Sequence, residues 1–185
     1  MHHRPARQLL ICLVVLLTVS ASLVLAPPPD GLFGAFLALL MIAIAVTDAE
    51  RYIIPNELTA AAMALALLRA GSLGSDGIWF DVAWSALRAL AVTVPFLVLM
   101  IGYRYWRGRE GLGLGDIKLT AVAGAWLGWT TIFPVIEIAA LAALGAYLVA
   151  AMLRKRPLRG TAFLPFGVFL APAIWVGWLA ESLLF

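Results

Sequence analysis

Charged residues are scarce in this chain, where Asp, Glu, Lys and Arg together make up 12% of 185 residues. A typical soluble domain is about half apolar and carries about a quarter charged residues. Here 64% of the residues are hydrophobic, which excludes an ordinary soluble domain and indicates an integral membrane protein. The apolar runs are long and do not alternate with polar residues, so strands of a transmembrane barrel are excluded as well.

Cysteine and histidine are nearly missing, which removes several kinds of chemistry. The single cysteine, Cys12, lies in the first apolar run, so neither an internal disulfide nor a Cys-x-x-Cys zinc site can form. The two histidines are His2 and His3, which we interpret as a terminal pair rather than a metal site. With no histidine in any apolar run, a Ser-His triad and a His-Glu-x-x-His zinc protease are excluded. We therefore expect no metal and no other cofactor.

Seven apolar runs follow one another along the chain. They cover residues 9–26, 32–47, 58–70, 82–102, 117–131, 132–153 and 163–184. A helix needs about 20 apolar residues to cross a bilayer, so the third and fifth runs are short and are expected to extend into the adjoining loops. The sequence predicts an all-α fold, with one transmembrane domain over residues 1–185 formed by a polytopic bundle of about seven helices.

The loops between these runs separate by charge. One side carries Arg4, Arg7, Arg51 and two basic clusters at 104–109 and 154–159, whereas the other carries Asp30, Asp76, Asp81 and Glu181. Arg69 is the exception on the second side. The positive-inside rule places the N-terminus in the cytoplasm and the C-terminus outside, in the inner (cytoplasmic) membrane. Topology thus accounts for the net charge of +3, and we expect a lipid bilayer but no nucleic acid as a partner.

The first apolar run has a second interpretation, as a cleaved signal peptide. Arg4 and Arg7 precede it, and the Val-Leu-Ala sequence at 24–26 resembles a cleavage site. Pro27 follows directly and disfavours cleavage, so we expect the run to be retained as the first span.

Two aspartates lie where long apolar runs meet short polar loops. Asp48 ends the second run and Asp116 opens the fifth, both on the predicted cytoplasmic side. An ionisable group in such a place is a functional-site hypothesis by default, although Asp48 can also be a solvated loop charge and Asp116 a helix N-cap. Two carboxylates a few ångströms apart cannot both ionise. The ionised one can then activate water while the protonated one polarises a scissile carbonyl.

The residues around the two aspartates fit this hypothesis. Pro55 ends any continuation of the second helix, and Asn56 can cap the third. Gly113 and Gly115 remove side chains before the second aspartate, which allows unusual backbone dihedrals and the close approach of a peptide substrate. Lys118 can pair with a carboxylate, but we favour a side chain that extends to the membrane interface.

Taken together, these stretches resemble the prepilin peptidase family, the membrane aspartic proteases of type IV pilus and type II secretion systems. The resemblance rests on Asp48 with Ile54-Pro55-Asn56-x-Leu58-Thr59, on Gly113-x-Gly115-Asp116-x-Lys118-Leu119, on residues 124–129, and on Leu164-Pro165-Phe166-Gly167. Many members continue the last stretch with proline, where this chain has Val168. The resemblance implies that Asp48 and Asp116 are the catalytic pair. It also implies substrates that are type IV prepilins or pseudopilins, whose basic leader is removed at the cytoplasmic face.

The chain departs from the longer members of that family. Bifunctional members carry a cytoplasmic insertion, often with paired Cys-x-x-Cys elements, that is linked to N-methylation of the new pilin terminus. This chain has neither feature, so it is similar to the short, peptidase-only form, and use of S-adenosylmethionine is not expected. A presenilin-like protease is a rival interpretation, but Thr47 stands before Asp48 where that family has tyrosine, and no Pro-Ala-Leu motif is present. A transporter or structural membrane protein with interfacial aspartates is the rival from another class.

Acidic loop residues are candidates for holding a basic leader. Glu50, Glu57 and Glu110 all lie on the predicted cytoplasmic side, and Glu50 is the leading substrate-binding candidate because it is two residues from Asp48. A solvated charge that balances nearby arginines is an equally open interpretation for each. On the opposite side, Arg88 and Glu137 lie at similar depth, where they can pair or extend to the interface.

Overall fold

The computed structural model describes residues 4–108, 113–153 and 164–184, and within these ranges it contains seven α-helices and no strand. The helices are α1 (Arg4–Leu25), α2 (Asp30–Arg51), α3 (Asn56–Leu73), α4 (Ile78–Arg107), α5 (Leu114–Trp126), α6 (Trp129–Leu153) and α7 (Gly167–Leu184). The predicted all-α bundle is confirmed, with one helix for each apolar run.

Five of these helices, α1, α2, α4, α6 and α7, are long and apolar enough to cross a membrane by length and composition. The helix α5 is the shortest, and its 13 residues extend only about 20 Å, less than the ~30 Å of a hydrocarbon core. It is nevertheless buried over almost all of residues 117–126, because α3, α4 and α7 pack around it. The shortest helix is therefore an internal one.

Most helix ends differ from the predicted runs by a few residues, and two of these differences are informative. The helix α4 extends beyond the predicted 82–102 at both ends, from Ile78 to Arg107. The break between α5 and α6 falls at Leu127 and Gly128 rather than at Thr131, because the backbone of Leu127 is extended, with φ −100° and ψ 151°. These differences leave the number and order of the helices unchanged.

Contacts between helix ends show that consecutive helices run in opposite directions. The last turn of α2 lies at the same end of the bundle as the first turns of α3, α5 and α7, and we name this the aspartate end. The first turn of α2 lies with the last turns of α3, α5 and α7 at the opposite, arginine end. There Arg69 donates to both carboxylate oxygens of Asp30, at 2.6 and 3.1 Å, and its guanidinium lies 5.5 Å from the centre of the Trp126 ring.

A second arginine closes the end of α5. Arg88 donates to the carbonyl oxygens of Gly124 and Ala125, at 3.4 and 3.5 Å, and the Ser85 hydroxyl donates to the second of these at 2.8 Å. The expected alternative partner, Glu137, is exposed on α6. The last carbonyls of a helix have no N–H partner within it, and α5 ends inside the bundle, so side chains must supply the donors.

The helices α2 and α7 pack closely at Gly34. The ring of Trp178, which is fully buried, occupies the space that a side chain at position 34 would need, so only glycine fits there. Small residues at such crossings let two membrane helices approach closely. This contact lies toward the arginine end, and the same two helices meet again at the aspartate end.

Candidate functional site

Asp48 lies in the last turn of α2 and is only 5% exposed, so it is not a solvated loop charge. Its Oδ2 accepts a hydrogen bond of 3.2 Å from the backbone N–H of Val168, in the first turn of α7. A carboxylate is unfavourable at the C-terminus of its own helix, but the partial positive charge at the N-terminus of α7 offsets this. A Cβ at Gly167 would lie 2.8 Å from Asp48 Oδ2, so the close approach depends on that glycine.

Asp116 is the third residue of α5 and therefore not its N-cap, which is Gly113. Its carboxylate accepts a hydrogen bond from the Gly113 backbone, the arrangement that an acidic residue at this helix position makes in a capping box. Burial, followed by the negative charge of Asp48, raises the pKa of Asp116 to about 6, although the bond from Gly113 favours the ionised form. The two aspartates are therefore close enough to affect each other's charge.

Ile54 joins the two aspartate-bearing segments and is 8% exposed. A Cβ at Gly115 would lie 3.1 Å from Ile54 Cβ, and a Cβ at Gly167 would lie 2.8 Å from Ile54 Cδ1. One side chain thus packs against the residue before Asp116 and against the glycine that faces Asp48. Both Ile54 and Gly167 lie in the motif stretches of the sequence, but the sequence alone assigns neither of them a role. The sequence feature that could have indicated a packing role for Ile54 is an apolar residue directly before Pro-Asn, at the edge of a polar loop.

The flanking polar residues differ from expectation. Pro55 directly precedes α3 as predicted, but Asn56 is the first residue of that helix and its side chain does not cap it. Instead, Asn56 Oδ1 accepts a hydrogen bond of 2.6 Å from Nζ of Lys118. Lys118 is exposed at the aspartate end and pairs with this amide oxygen rather than with a carboxylate, so its extension to the membrane interface stays a prediction.

The two motif glycines have ordinary backbone conformations. Gly113 has φ −74° and ψ 140°, and Gly115 lies within the first turn of α5 without a positive φ. The expectation of unusual dihedrals is thus wrong for both. The expected close approach does occur at Gly115, but the group that approaches is the side chain of Ile54.

Glu50 is exposed at the aspartate end, where its Oε1 forms an ion pair of 2.6 Å with Arg7 of α1. Glu57 is exposed in the first turn of α3, and Glu110 lies outside the described residues. A substrate-binding role for Glu50 stays a prediction. Among the described side chains, no group of three His, Cys, Asp or Glu residues is arranged to hold a metal ion.

Comparisons with known proteins identify the family of the chain. The sequence profile described as the Type IV leader peptidase family matches residues 35–150, which include both aspartates. Leader peptidase HopD of Escherichia coli is 36% identical over 149 residues, which cover 80% of this chain and 91% of HopD. The prepilin leader peptidase/N-methyltransferase of Aeromonas hydrophila is 30% identical over 168 residues, or 90% of this chain and 56% of that protein.

The chain therefore spans nearly all of HopD but only about half the length of the N-methyltransferase relatives, such as 51% of the protein from Pectobacterium carotovorum subsp. carotovorum. No solved structure matches it significantly. The profile covers more than half of the chain, and the match to HopD covers most of both proteins. On these grounds the chain belongs to the type IV leader peptidase family.

Proposed function

We propose that this protein is a membrane aspartic endopeptidase. Its substrates are prepilin-like peptides, type IV prepilins or pseudopilins, whose basic leader it removes at the cytoplasmic face of the inner membrane. The observation that carries the proposal is the electrostatic interaction of two buried or half-buried carboxyl groups, Asp48 and Asp116, from different helices. The names of the relatives, leader peptidase and prepilin leader peptidase, supply the substrate class.

Different protonation states give the two carboxyl groups different roles. Burial and the charge of Asp48 raise the pKa of Asp116 to about 6, so we assign the shared proton to Asp116 and the ionised role to Asp48. Asp48 then takes a proton from water as the oxygen of that water attacks the scissile carbonyl carbon. Asp116 donates its proton toward the carbonyl oxygen, which stabilises the negative charge that develops there.

Collapse of the tetrahedral intermediate completes the reaction. The C–N bond breaks as the proton held by Asp48 passes to the leaving nitrogen. The carboxyl product keeps the oxygen that came from water. Asp116 recovers its proton as the carbonyl re-forms, so both aspartates return to their starting states. No group other than the two carboxyls and water is needed for this sequence of steps.

Location supports cleavage at the cytoplasmic surface. Asp48 lies in the last turn of a helix that is long enough to span, and Arg51 and Arg7 lie at the same end of the bundle. Arginines concentrate on the cytoplasmic side of membrane proteins. A basic leader in the cytoplasm would therefore reach the aspartate end without crossing the bilayer.

The test is cleavage of a synthetic prepilin-like peptide by the purified protein in detergent, with products identified by mass spectrometry. We expect Asp48→Asn and Asp116→Asn each to remove nearly all activity, and the double variant to lose little more, because members of a catalytic unit are not additive. Substantial residual cleavage by Asp48→Asn would overturn the pairing. Equal cleavage by wild type and both variants would show that the activity belongs to another protein in the preparation.

A further inference from the structure

The two aspartates belong to helices that do not pack extensively on each other. The helix α2 packs on α1, α3 and α7, whereas α5 packs on α3, α4, α6 and α7. Their carboxyl groups must still be held at a short distance, and two like charges repel. Something between the two helices must therefore set the separation. The segment that follows α2, residues 52–56, lies in the right place.

We propose that Ile54, Asn56 and Lys118 form a clasp that positions the aspartate pair for catalysis. The first two residues come from the segment after α2, and the third comes from α5. This inference rests on the proposed function and adds positioning residues to it. None of the three is assigned a chemical step.

The apolar half of the clasp is Ile54. Its side chain lies between two glycines, Gly115 and Gly167. A Cβ on Gly167 would lie 2.8 Å from Ile54 Cδ1, and a Cβ on Gly115 would lie 3.1 Å from Ile54 Cβ, so both contacts are tightly packed. Interiors packed to this density transmit a displacement rather than absorb it. A shift of the segment after α2 therefore moves the first turn of α5 and the first turn of α7 together, and with them the surroundings of both aspartates.

The polar half is the hydrogen bond from Lys118 Nζ to Asn56 Oδ1, at 2.6 Å, which joins residues 62 apart in sequence. Residues two apart on a helix do not face each other, so the side chain of Lys118 is directed away from Asp116. Lys118 can therefore affect the positions of the two aspartates only through its hydrogen bond to Asn56. That geometry suits a residue that holds the segment in place and does not suit one that touches the reacting atoms.

Paired variants test the clasp with the same peptide assay. We expect Lys118→Met and Asn56→Leu each to lower kcat about tenfold with little change in KM, because a misplacement of about 1 Å at the reacting groups can reduce the rate up to about a hundredfold. The double variant should be no slower than either single variant, since both remove one interaction. Lys118→Arg and Asn56→Asp keep a donor and an acceptor and should stay within about threefold of wild type.

Asp76→Asn, in an exposed loop at the arginine end, is the matched control and should cleave as wild type does. A lower kcat in Lys118→Met together with a wild-type kcat in Asn56→Leu would overturn the clasp and assign Lys118 a direct contact with substrate. Wild-type kcat in both variants would overturn it too. Either result leaves the proposed function standing so long as Asp48→Asn is inactive, whereas no cleavage by wild type would reject the proposed function itself.

Discussion

Val168 donates its backbone N–H to Oδ2 of Asp48, although the two residues are 120 positions apart in the sequence. The contact brings the start of α7 onto the end of α2 and gives a buried carboxylate a donor that its own helix does not provide. Gly167, directly before Val168, makes the approach possible, since any side chain there would meet the carboxylate and Ile54.

Replacing that glycine should therefore disable the enzyme without unfolding it. In Gly167→Ala the new methyl would lie 2.8 Å from both Asp48 Oδ2 and Ile54 Cδ1, so these groups must shift. We expect kcat for peptide cleavage to fall at least about tenfold. Gly145→Ala on α6 is the matched control, because a Cβ there meets nothing within 4 Å. Wild-type kcat in Gly167→Ala would show that the spacing around Asp48 is not critical.

Cleavage should depend on pH through Asp116. Its pKa is raised to about 6 by burial and by the charge of Asp48, so the carboxyl loses its proton as the pH rises through that value. We expect kcat to fall on the alkaline side, since the proposed mechanism needs one proton on the pair. The check is the pH dependence of kcat from pH 5 to 8.5. The control Glu137→Gln, an exposed change on α6, should show the same decrease in kcat at alkaline pH as wild type. A rate that rises across this range would contradict the assigned roles.

The same raised pKa predicts the sign of a stability change. Between the ordinary pKa of 3.8 and the folded value of about 6, the folded state holds a proton that the unfolded state has released. Stability should therefore fall as the pH rises through this window and stay lower above it. Thermal unfolding in detergent at pH 4 and pH 8 should show a smaller pH dependence for Asp116→Asn than for wild type. An unchanged dependence would place the titrating group elsewhere.

The ion pair of Arg7 with Glu50 bears on substrate binding. If Glu50 contacts the basic leader, Arg7 competes with the leader for the same carboxylate, because the pair is 2.6 Å long and both side chains are about half exposed. We expect Glu50→Gln to raise KM at low salt and Arg7→Gln to lower it, by small factors that disappear at high salt. An unchanged KM in both variants would remove Glu50 from the binding site. A collapse of kcat in Glu50→Gln would move it into the catalytic centre.

Arg88 should matter for stability. Its guanidinium donates to the carbonyl oxygens of Gly124 and Ala125 at the end of α5. Ser85 also donates to the second, so Arg88→Met would remove the side-chain donor of the Gly124 carbonyl. Leaving a buried acceptor unsatisfied costs about 1–3 kcal/mol, so the thermal midpoint in detergent should fall measurably. Arg51→Met, at the exposed end of α2, is the control and should change it little. An unaltered midpoint in Arg88→Met would mean that water or lipid replaces the arginine.

Orientation in the membrane is open to a direct test. The basic loops predict a cytoplasmic N-terminus, and an odd number of antiparallel helices places the C-terminus on the opposite side. Reporter fusions after residue 109 and after Phe185 should therefore give signals from opposite sides. Signals from the same side would reject the seven-helix arrangement in the membrane.

Much of this architecture follows from the sequence because its causes are local. Apolar runs separated by polar loops define helices through the cost of placing charge in a bilayer, so all seven were predicted. Asp48 and Asp116 could be placed at one end because each lies at the edge of a run and the helix directions alternate. The glycines before Asp116 predicted the close approach of a peptide substrate, which stays a prediction, while the group beside Gly115 is the side chain of Ile54.

The contacts between distant segments could not be predicted in the same way. Lys118 bonds to Asn56, and Arg88 bonds to the end of α5, because the packing of helices puts these acceptors within reach. No sequence pattern within either helix encodes that proximity. The approach of Gly167 to Asp48 depends likewise on how α7 lies against α2, which is decided by side chains along the full length of both helices.

One of those side chains is Trp178, whose ring fills the space beside Gly34. Gly34 lies 14 residues before Asp48 on α2, about 21 Å along the helix, and Trp178 lies about 15 Å along α7 from Val168. Because helices are nearly rigid, a change in the tilt of α2 against α7 at Gly34 also changes their contact at Asp48. A larger residue at position 34 is therefore expected to lower the activity although it lies about 21 Å along α2 from Asp48. Natural variation there should be as restricted as at the aspartates themselves, and an inhibitor that parted these helices would not need to resemble a peptide.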